Sequence, residues 1–259
     1  MITPRFYINH DDISGIEQNY ICNDEFILQH IKALRLNIGA LCSLFNGVDN
    51  MEYTAEINEI NKKSVCFHII DKMEINRELP KSINLIQSLI NPAKLEFILE
   101  KTTELGIDNL YLVPTSYSNV SLKGEAKEKK LQRFTKITIS ACEQCGRNTL
   151  PKLQNLDNWQ ACMKVLQNLP ENTLKIFLTT NIANNIDDDL RKSIVNINDL
   201  NIHNYDSIYY IIGAEGGLTD KEQSDLFNAG CIGVSLGNLI LRAETASIAV
   251  LSYLNIKLN

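Results

Sequence analysis

The apolar positions of this chain change period once. Up to about residue 75 they come in short runs, Arg5 to Ile8, Leu41 to Phe45, Tyr53 to Ile57 and Val65 to Ile70, which predicts four short strands. Asn46-Gly47 and Asn61-Lys62-Lys63 supply turn chemistry between them. One helix interrupts, from about Asp24 to Leu36, with Gly39 beyond it as a stop. Strands this short with a single helix bury little alone, so residues 1–75 are expected to form a small β-barrel appended to a larger body.

The polar stretch Glu74 to Lys81, closed by Pro80, is the best linker candidate. Beyond it Ser82 to Ile90 is a nearly continuous apolar run. Pro92 then opens a helix carrying Leu95, Ile98, Leu99 and Leu105, Gly106 stops it, and Ile107 to Val113 reads as a second buried strand. That βαβ unit predicts an α/β domain over residues 76–259, with a parallel sheet covered on both faces. A long helix from Glu125 to Arg147, a shorter one at Trp159 to Leu169, and strands at Leu174 to Leu178 and Ser207 to Ile212 continue the pattern. Thr219 and Glu222 form a capping box that opens a helix at Asp220, which ends near Gly230. Cys231 to Leu236 is the last strand and Ala243 to Leu258 the last helix.

Composition narrows the function classes. A chain of 259 residues, 44% hydrophobic, can bury a sizeable core. No basic segment followed by an apolar one opens the chain, and no run reaches the roughly 18 apolar residues a membrane span needs, so a cytoplasmic, soluble protein with no membrane contact is expected. Seven scattered cysteines argue for reduced thiols. Cys142 and Cys145 make a CxxC, but no second ligand pair accompanies them and the histidines (His10, His30, His68, His203) stand far apart, so no metal is expected. The pair falls late in a helix, away from the N-terminal end that would favour a thiolate, and reads as two core-facing thiols. A net charge of −6 is poor footing for a nucleic-acid partner, which makes the distribution of charge matter. Lys123, Lys127, Lys129, Lys130, Arg133 and Lys136 outnumber Glu125 and Glu128 in one stretch, either a phosphate-binding patch or a solvated helix face.

Three loops leave the carboxyl ends of the predicted parallel strands, where ligands bind in open α/β sheets: Thr179-Thr180-Asn181, Gly213-Ala214-Glu215-Gly216-Gly217, and Gly237-Asn238-Leu239-Ile240-Leu241-Arg242. The middle loop has the spacing GxxGG rather than GxGxxG, and Glu215 stands where a pyrophosphate would lie, which disfavours a dinucleotide. A sulfonium nucleoside without phosphate removes that objection, and glycines let backbone groups approach it closely. The last loop is apolar, Leu236 through Leu241, and suits a flat ring such as adenine, or serves as the staple of the final helix. Arg147, after Glu143 and Gln144, can hold a phosphate or cap its own helix.

Taken together, these residues resemble the ribosomal RNA small subunit methyltransferase E family of the trefoil-knot (SPOUT) superfamily. The resemblance runs nearly end to end: Arg5-Phe6, His30-Ile31-Lys32-Ala33-Leu34-Arg35 and Phe45-Asn46-Gly47 with Tyr53; then Lys101-Thr102-Thr103-Glu104-Leu105-Gly106, Glu143-Gln144-Cys145-Gly146-Arg147, Ile212 to Gly217, and Leu236 to Ala246. Ala214 stands where the family usually has proline, and Cys145 and Ala243 vary small positions. The resemblance implies a PUA-like β-barrel for RNA and a knotted parallel-sheet domain that uses S-adenosylmethionine. It also implies a homodimer and methylation of N3 of one uridine of 16S rRNA in the small ribosomal subunit. Cofactor contacts are then expected from Thr179, Gly213, Glu215, Gly216, Gly217, Leu236, Gly237 and Leu241. RNA contacts are expected from Arg5, His30, Arg35, Lys101, Lys123, Lys127, Lys130 and Arg147, although Arg5 and Arg35 could instead pair with acids of their own barrel. For the reaction, Arg242 and Arg147 are candidates to balance charge on the base and Glu244 or Glu215 to take the N3 proton. A non-catalytic rRNA-binding assembly factor, a dinucleotide oxidoreductase and a ribose 2′-O-methyltransferase of the same fold are the rival readings.

Overall fold

The computed structural model describes residues 3–9, 13, 15–122, 124–179 and 194–259. The chain divides into two compact units, Met1–Glu78 with Ile139–Leu150, and Leu79–Thr138 with Pro151–Asn259. The first unit thus runs three residues past the expected boundary. It also takes in the last turns of a helix that begins in the second.

In the first unit, β1 (Arg5–Tyr7), β2 (Asn19–Cys22), β3 (Leu41–Phe45), β4 (Met51–Ile60) and β5 (Val65–Glu74) form one sheet in the order β1-β3-β4-β5-β2. The β1 and β3 strands run parallel and the other pairs antiparallel. Register shifts in β4 at Thr54/Ala55 and Ile57/Glu59 bend the sheet, as bulges do. Its concave face is filled by Phe6, Leu44, Ile57, Phe67 and Ile69, together with Ile27, Leu28 and Ile31 of α1 (Glu25–Ala33). The α1 helix starts where its cap dictates: the Asp24 carboxylate accepts the Phe26 N–H at 2.7 Å.

The second unit is a wholly parallel seven-stranded sheet, β10-β12-β9-β11-β6-β7-β8, built from β6 (Ser82–Ser88), β7 (Asn109–Val113), β8 (Lys152–Asn155), β9 (Thr173–Leu178), β10 (Val195–Asn196), β11 (Ser207–Ile212) and β12 (Ile232–Ser235). Strand residues alternate between two cores. Leu85, Leu112, Ile176 and Tyr210 pack with α2 (Pro92–Glu104) and α6 (Ala243–Leu258). Ile86, Val113, Phe177 and Ile211 pack with α4 (Trp159–Gln167) and α5 (Asp220–Asn228), between which Trp159 Nε1 donates to Asp225. Burial on both faces explains the continuous apolar runs in the central strands. The capping box at Thr219 and Glu222 is formed in both directions. The long helix α3 (Glu125–Cys145) ends two residues earlier than expected. Of its two cysteines, Cys142 is buried as expected and Cys145 is only partly so. No helix is long and apolar enough to cross a membrane, and no group of three or more potential metal ligands occurs, both among the described residues.

Candidate functional site

The carboxyl ends of β9, β11 and β12 open onto one cavity of about 280 Å³. All eight residues expected to contact the cofactor line it: Thr179, Gly213, Glu215, Gly216, Gly217, Leu236, Gly237 and Leu241. Thr180 and Asn181 of the first loop lie outside the described residues.

The shape of this cavity depends on missing side chains. A Cβ on Gly213 would stand 2.6 Å from the carbonyl carbon of Gly217, so the tight turn that folds Gly217 back, with its N–H donating to the Ala214 carbonyl at 2.9 Å, has no room for any other residue. Gly217 itself has φ +78°. Ala214 fits this turn and is buried, so the departure from proline leaves the loop intact. Below the turn, Gln87 at the end of β6 donates from Nε2 to the Gly213 carbonyl at 3.4 Å, and its Oε1 accepts the Ser247 hydroxyl of α6 at 2.7 Å. Sequence reasoning missed both residues. A glutamine and a serine amid apolar runs, both fully buried here, were the signal available.

On the far side lie Leu236, Leu239, Ile240 and Leu241. Leu239 and Ile240 are 80% and 70% exposed, which is costly unless something covers them. Thr179 donates its hydroxyl to Gln223 Oε1 at 2.9 Å, and Gln223 Nε2 donates to the Leu218 carbonyl, so these two polar lining residues are held in place. The ionisable side chain in the described lining is Glu215. Burial pushes its pKa up, but its own backbone N–H and the Lys94 ammonium at 3.1 Å pull it lower overall, keeping it a carboxylate. Lys94 was not expected here. It sits in the first turn of α2, which holds no acidic residue, where the helix dipole disfavours a cation; that misplacement was its sequence signal. A cavity with glycine walls, apolar cover, a carboxylate and, among the described residues, no lining cation suits a nucleoside bearing positive charge better than a phosphate.

Arg242 is exposed at the N-cap of α6, with no side-chain capping bond. Two residues on, Glu244 lies in the first turn with its Oε2 buried and without a hydrogen bond.

The residues expected to meet RNA divide. Arg5 and Arg147, the latter also a candidate for the reaction, pair with acids of the first unit. Both are buried, with their charge committed inside the first unit. Arg5 reaches Glu52 at 2.5 Å, Asn148 Oδ1 at 2.7 Å and the Arg147 carbonyl at 3.1 Å, and lies over the Phe45 ring. Arg147 grips both carboxylate oxygens of Glu78, with Nε to Oε1 at 3.1 Å. Arg77 also joins Glu52 at 2.9 Å. Desolvation pushes the Glu52 carboxyl up, but Arg5 and Arg77 bring it below its ordinary value overall. Lys101 is clasped by Glu100 at 2.6 Å and Glu104 at 2.8 Å, which pushes it up to about 12. In the basic stretch, Lys127 faces Asp157 at 3.7 Å and Arg133 forms a two-pronged pair with Glu96, which favours a solvated face for those two cations. Lys130 is half-buried, and Lys123 lies outside the described residues. Arg35 is exposed and His30 half-buried.

Comparison with known proteins agrees with this geometry. Residues 77–255 match the RNA methyltransferase domain, and residues 27–70 the RNA methyltransferase PUA domain. Ribosomal RNA small subunit methyltransferase E of Buchnera aphidicola (from Acyrthosiphon pisum) is 30% identical over 254 residues, 97% of this chain and 92% of that protein. Its namesake in Bacillus subtilis is 29% identical over 243 residues, 93% of this chain and 87% of that one. The crystal structure of ribosomal RNA small subunit methyltransferase E from Neisseria gonorrhoeae bound to S-adenosyl methionine superposes with a TM-score of 0.84 at 28% identity, covering 99% and 98% of the two chains. A methyltransferase of Legionella pneumophila in complex with the same cofactor gives 0.86 at 31% identity over the same shares.

Proposed function

The chain belongs to the RNA methyltransferase family, with a PUA-like unit ahead of a knotted parallel-sheet domain, and from that premise we propose that it methylates N3 of a uridine in 16S rRNA, within the small ribosomal subunit, using S-adenosylmethionine. The observation that carries this reading is the glycine-walled cavity at the ends of β9, β11 and β12, where the eight expected residues converge.

When bound there, the cofactor supplies a methyl group made electrophilic by its sulfonium. Backbone groups of Gly213, Gly217, Leu236 and Leu241 would hold the nucleoside, the apolar stretch from Leu239 to Leu241 would cover its base, and Glu215 would face its positive charge. Catalysis is then mostly positioning, with one proton to manage. Glu244, whose Oε2 is buried and unpartnered, is assigned the N3 proton, and exposed Arg242 the negative charge that grows on the base carbonyls. A paired N3 is inaccessible, so the target uridine must be unpaired or extruded. We assign the protein to a homodimer, which the exposed Leu239, Ile240 and Ile256 support, and its rRNA substrate assigns it to the cytoplasm.

The test is incubation with radiolabelled S-adenosylmethionine and small ribosomal subunits that lack the modification, followed by reverse transcription. Label with a stop at one uridine supports the N3 reading, because a methyl there blocks pairing. Label without a stop would move the reaction to the ribose or another base edge, absence of label despite cofactor binding would mean a different substrate, and absence of cofactor binding would favour an assembly factor.

A further inference from the structure

A buried carboxylate in the first unit has one oxygen that no described group bonds. Glu143, near the end of α3, has a side chain only 4% exposed. Its Oε1 accepts the Tyr7 N–H at 3.1 Å, while its Oε2 has no hydrogen bond and faces Nδ1 of His30 at 3.4 Å. That Nδ1 is likewise buried and has no hydrogen bond. The rest of the imidazole reaches the surface, with 31% of the side chain exposed. The edge of Phe6 fixes the ring at 5.3 Å between centroids, and the exposed ring of Phe26, one turn earlier on α1, lies 6.3 Å away. Exposed Lys32 and Arg35 follow on the same segment. Arg35 holds the left-handed conformation (φ +55°) just past the helix end, a position that glycine normally takes.

We infer that His30 and Glu143 form a recognition site for an unpaired RNA base: the Glu143 carboxylate keeps the ring proton on Nδ1, facing Oε2, so that the neutral His30 presents Nε2 at the surface as a hydrogen-bond acceptor for a base N–H, beside the Phe26 ring. Aromatic rings with flanking cations are how single-stranded RNA is commonly held, and the inference rests on the reading of this unit as RNA-binding. It adds a polarity that the sequence could not supply. A histidine among cations suggests a phosphate contact, whereas a histidine backed by a buried carboxylate is an acceptor whose tautomer is fixed.

Proton uptake reverses that polarity. Burial pushes Glu143 up to about 7 and His30 down, so the couple gains a proton near neutrality. Among the described residues, the charged and titratable groups that face Glu143 are Arg5 and Tyr7 on β1 and Asp24 and His30 at α1. Of these, Arg5 and the Tyr7 N–H favour the carboxylate, and Asp24 opposes it. Whether the added proton rests on the carboxyl or on the ring, Nε2 then carries hydrogen and becomes a donor. The Glu143→Gln variant does the same without acid: the Tyr7 N–H keeps the amide oxygen at the Oε1 position, and the amide nitrogen donates to Nδ1.

The experiment pairs ¹⁵N NMR of the His30 ring in the free protein with binding of short single-stranded RNA and its DNA counterpart. The inference expects the Nδ1–H tautomer in the wild type above neutral pH and the Nε2–H tautomer in Glu143→Gln. It also expects about tenfold weaker RNA binding in Glu143→Gln and in His30→Ala, and a loss of wild-type affinity on acidification that Glu143→Gln lacks. An Nε2–H tautomer in the wild type, or unchanged RNA binding by both variants, would overturn it. Tighter binding on acidification would overturn it too, by making His30 a phosphate contact. If DNA binds the wild type as weakly as RNA binds His30→Ala, the donor is the 2′-hydroxyl and the base assignment fails. A wild type that binds no RNA at all instead refutes the RNA-binding reading of the unit, and the NMR result stands apart from it.

Discussion

The two units carry polar clusters of opposite construction. At the sheet edge of the second, the site is made by what is absent: glycines at 213 and 217, apolar cover, and one carboxylate balanced by Lys94. Within the first, Arg5, Arg77 and Arg147 are knitted to Glu52 and Glu78 by paired charges. The two clusters therefore do different work, one shaping a cavity and the other filling an interior. The contrast separates variants that should lose a ligand from variants that should lose the fold.

The largest effect is expected from Arg147→Ala. It strands Glu78 in a mostly buried place, and breaking such a pair costs about 3–5 kcal/mol, to be read as a drop in the denaturant midpoint. An unchanged denaturant midpoint would contradict this structural role.

Next is a pH effect in the same unit. Glu143 rises from its ordinary 4.5 to about 7, so its contribution to stability is fully present below about 4.5 and is lost as pH rises through 7. Between about pH 4 and about pH 8 the wild type should lose about 3 kcal/mol relative to Glu143→Gln, an upper figure for a partly exposed couple. Parallel pH–stability curves for the two proteins would contradict it.

Gly213→Ala comes third. Its methyl would collide with the Gly217 backbone, which cannot swing aside as a side chain can. Cofactor affinity should fall about a hundredfold by calorimetry, roughly 2.7 kcal/mol, with folding cooperativity retained. Lys94→Ala is smallest. Its pair with Glu215 is substantially exposed, so stability should change by under about 1 kcal/mol, with a weaker response of cofactor binding to salt.

Much of this arrangement was legible in the sequence, and the omissions have a common cause. The buried strands β6, β7, β9 and β11 showed themselves as apolar runs because both faces are covered. The strands missed, β2, β8 and β10, are all at sheet edges and are short and half-exposed, so no run or alternation marks them. The cavity was legible because glycines and apolar residues at strand ends mean much the same in any context. The pairing of Arg5 with an acid of its own unit was one of two readings left open, and the Glu78 partner of Arg147 was not foreseen, because an arginine that binds phosphate and one that neutralises a buried glutamate look identical until partners distant in sequence are placed beside them.

The central claim is that the glycine-walled cavity takes a sulfonium nucleoside and not a dinucleotide, and calorimetric titration of the intact protein with S-adenosylmethionine and, separately, with NADH tests it most directly. One saturable site per chain for S-adenosylmethionine, sharply weakened by Gly213→Ala and with no heat from NADH, is the predicted result; NADH binding, or no binding of S-adenosylmethionine by folded protein, would contradict it.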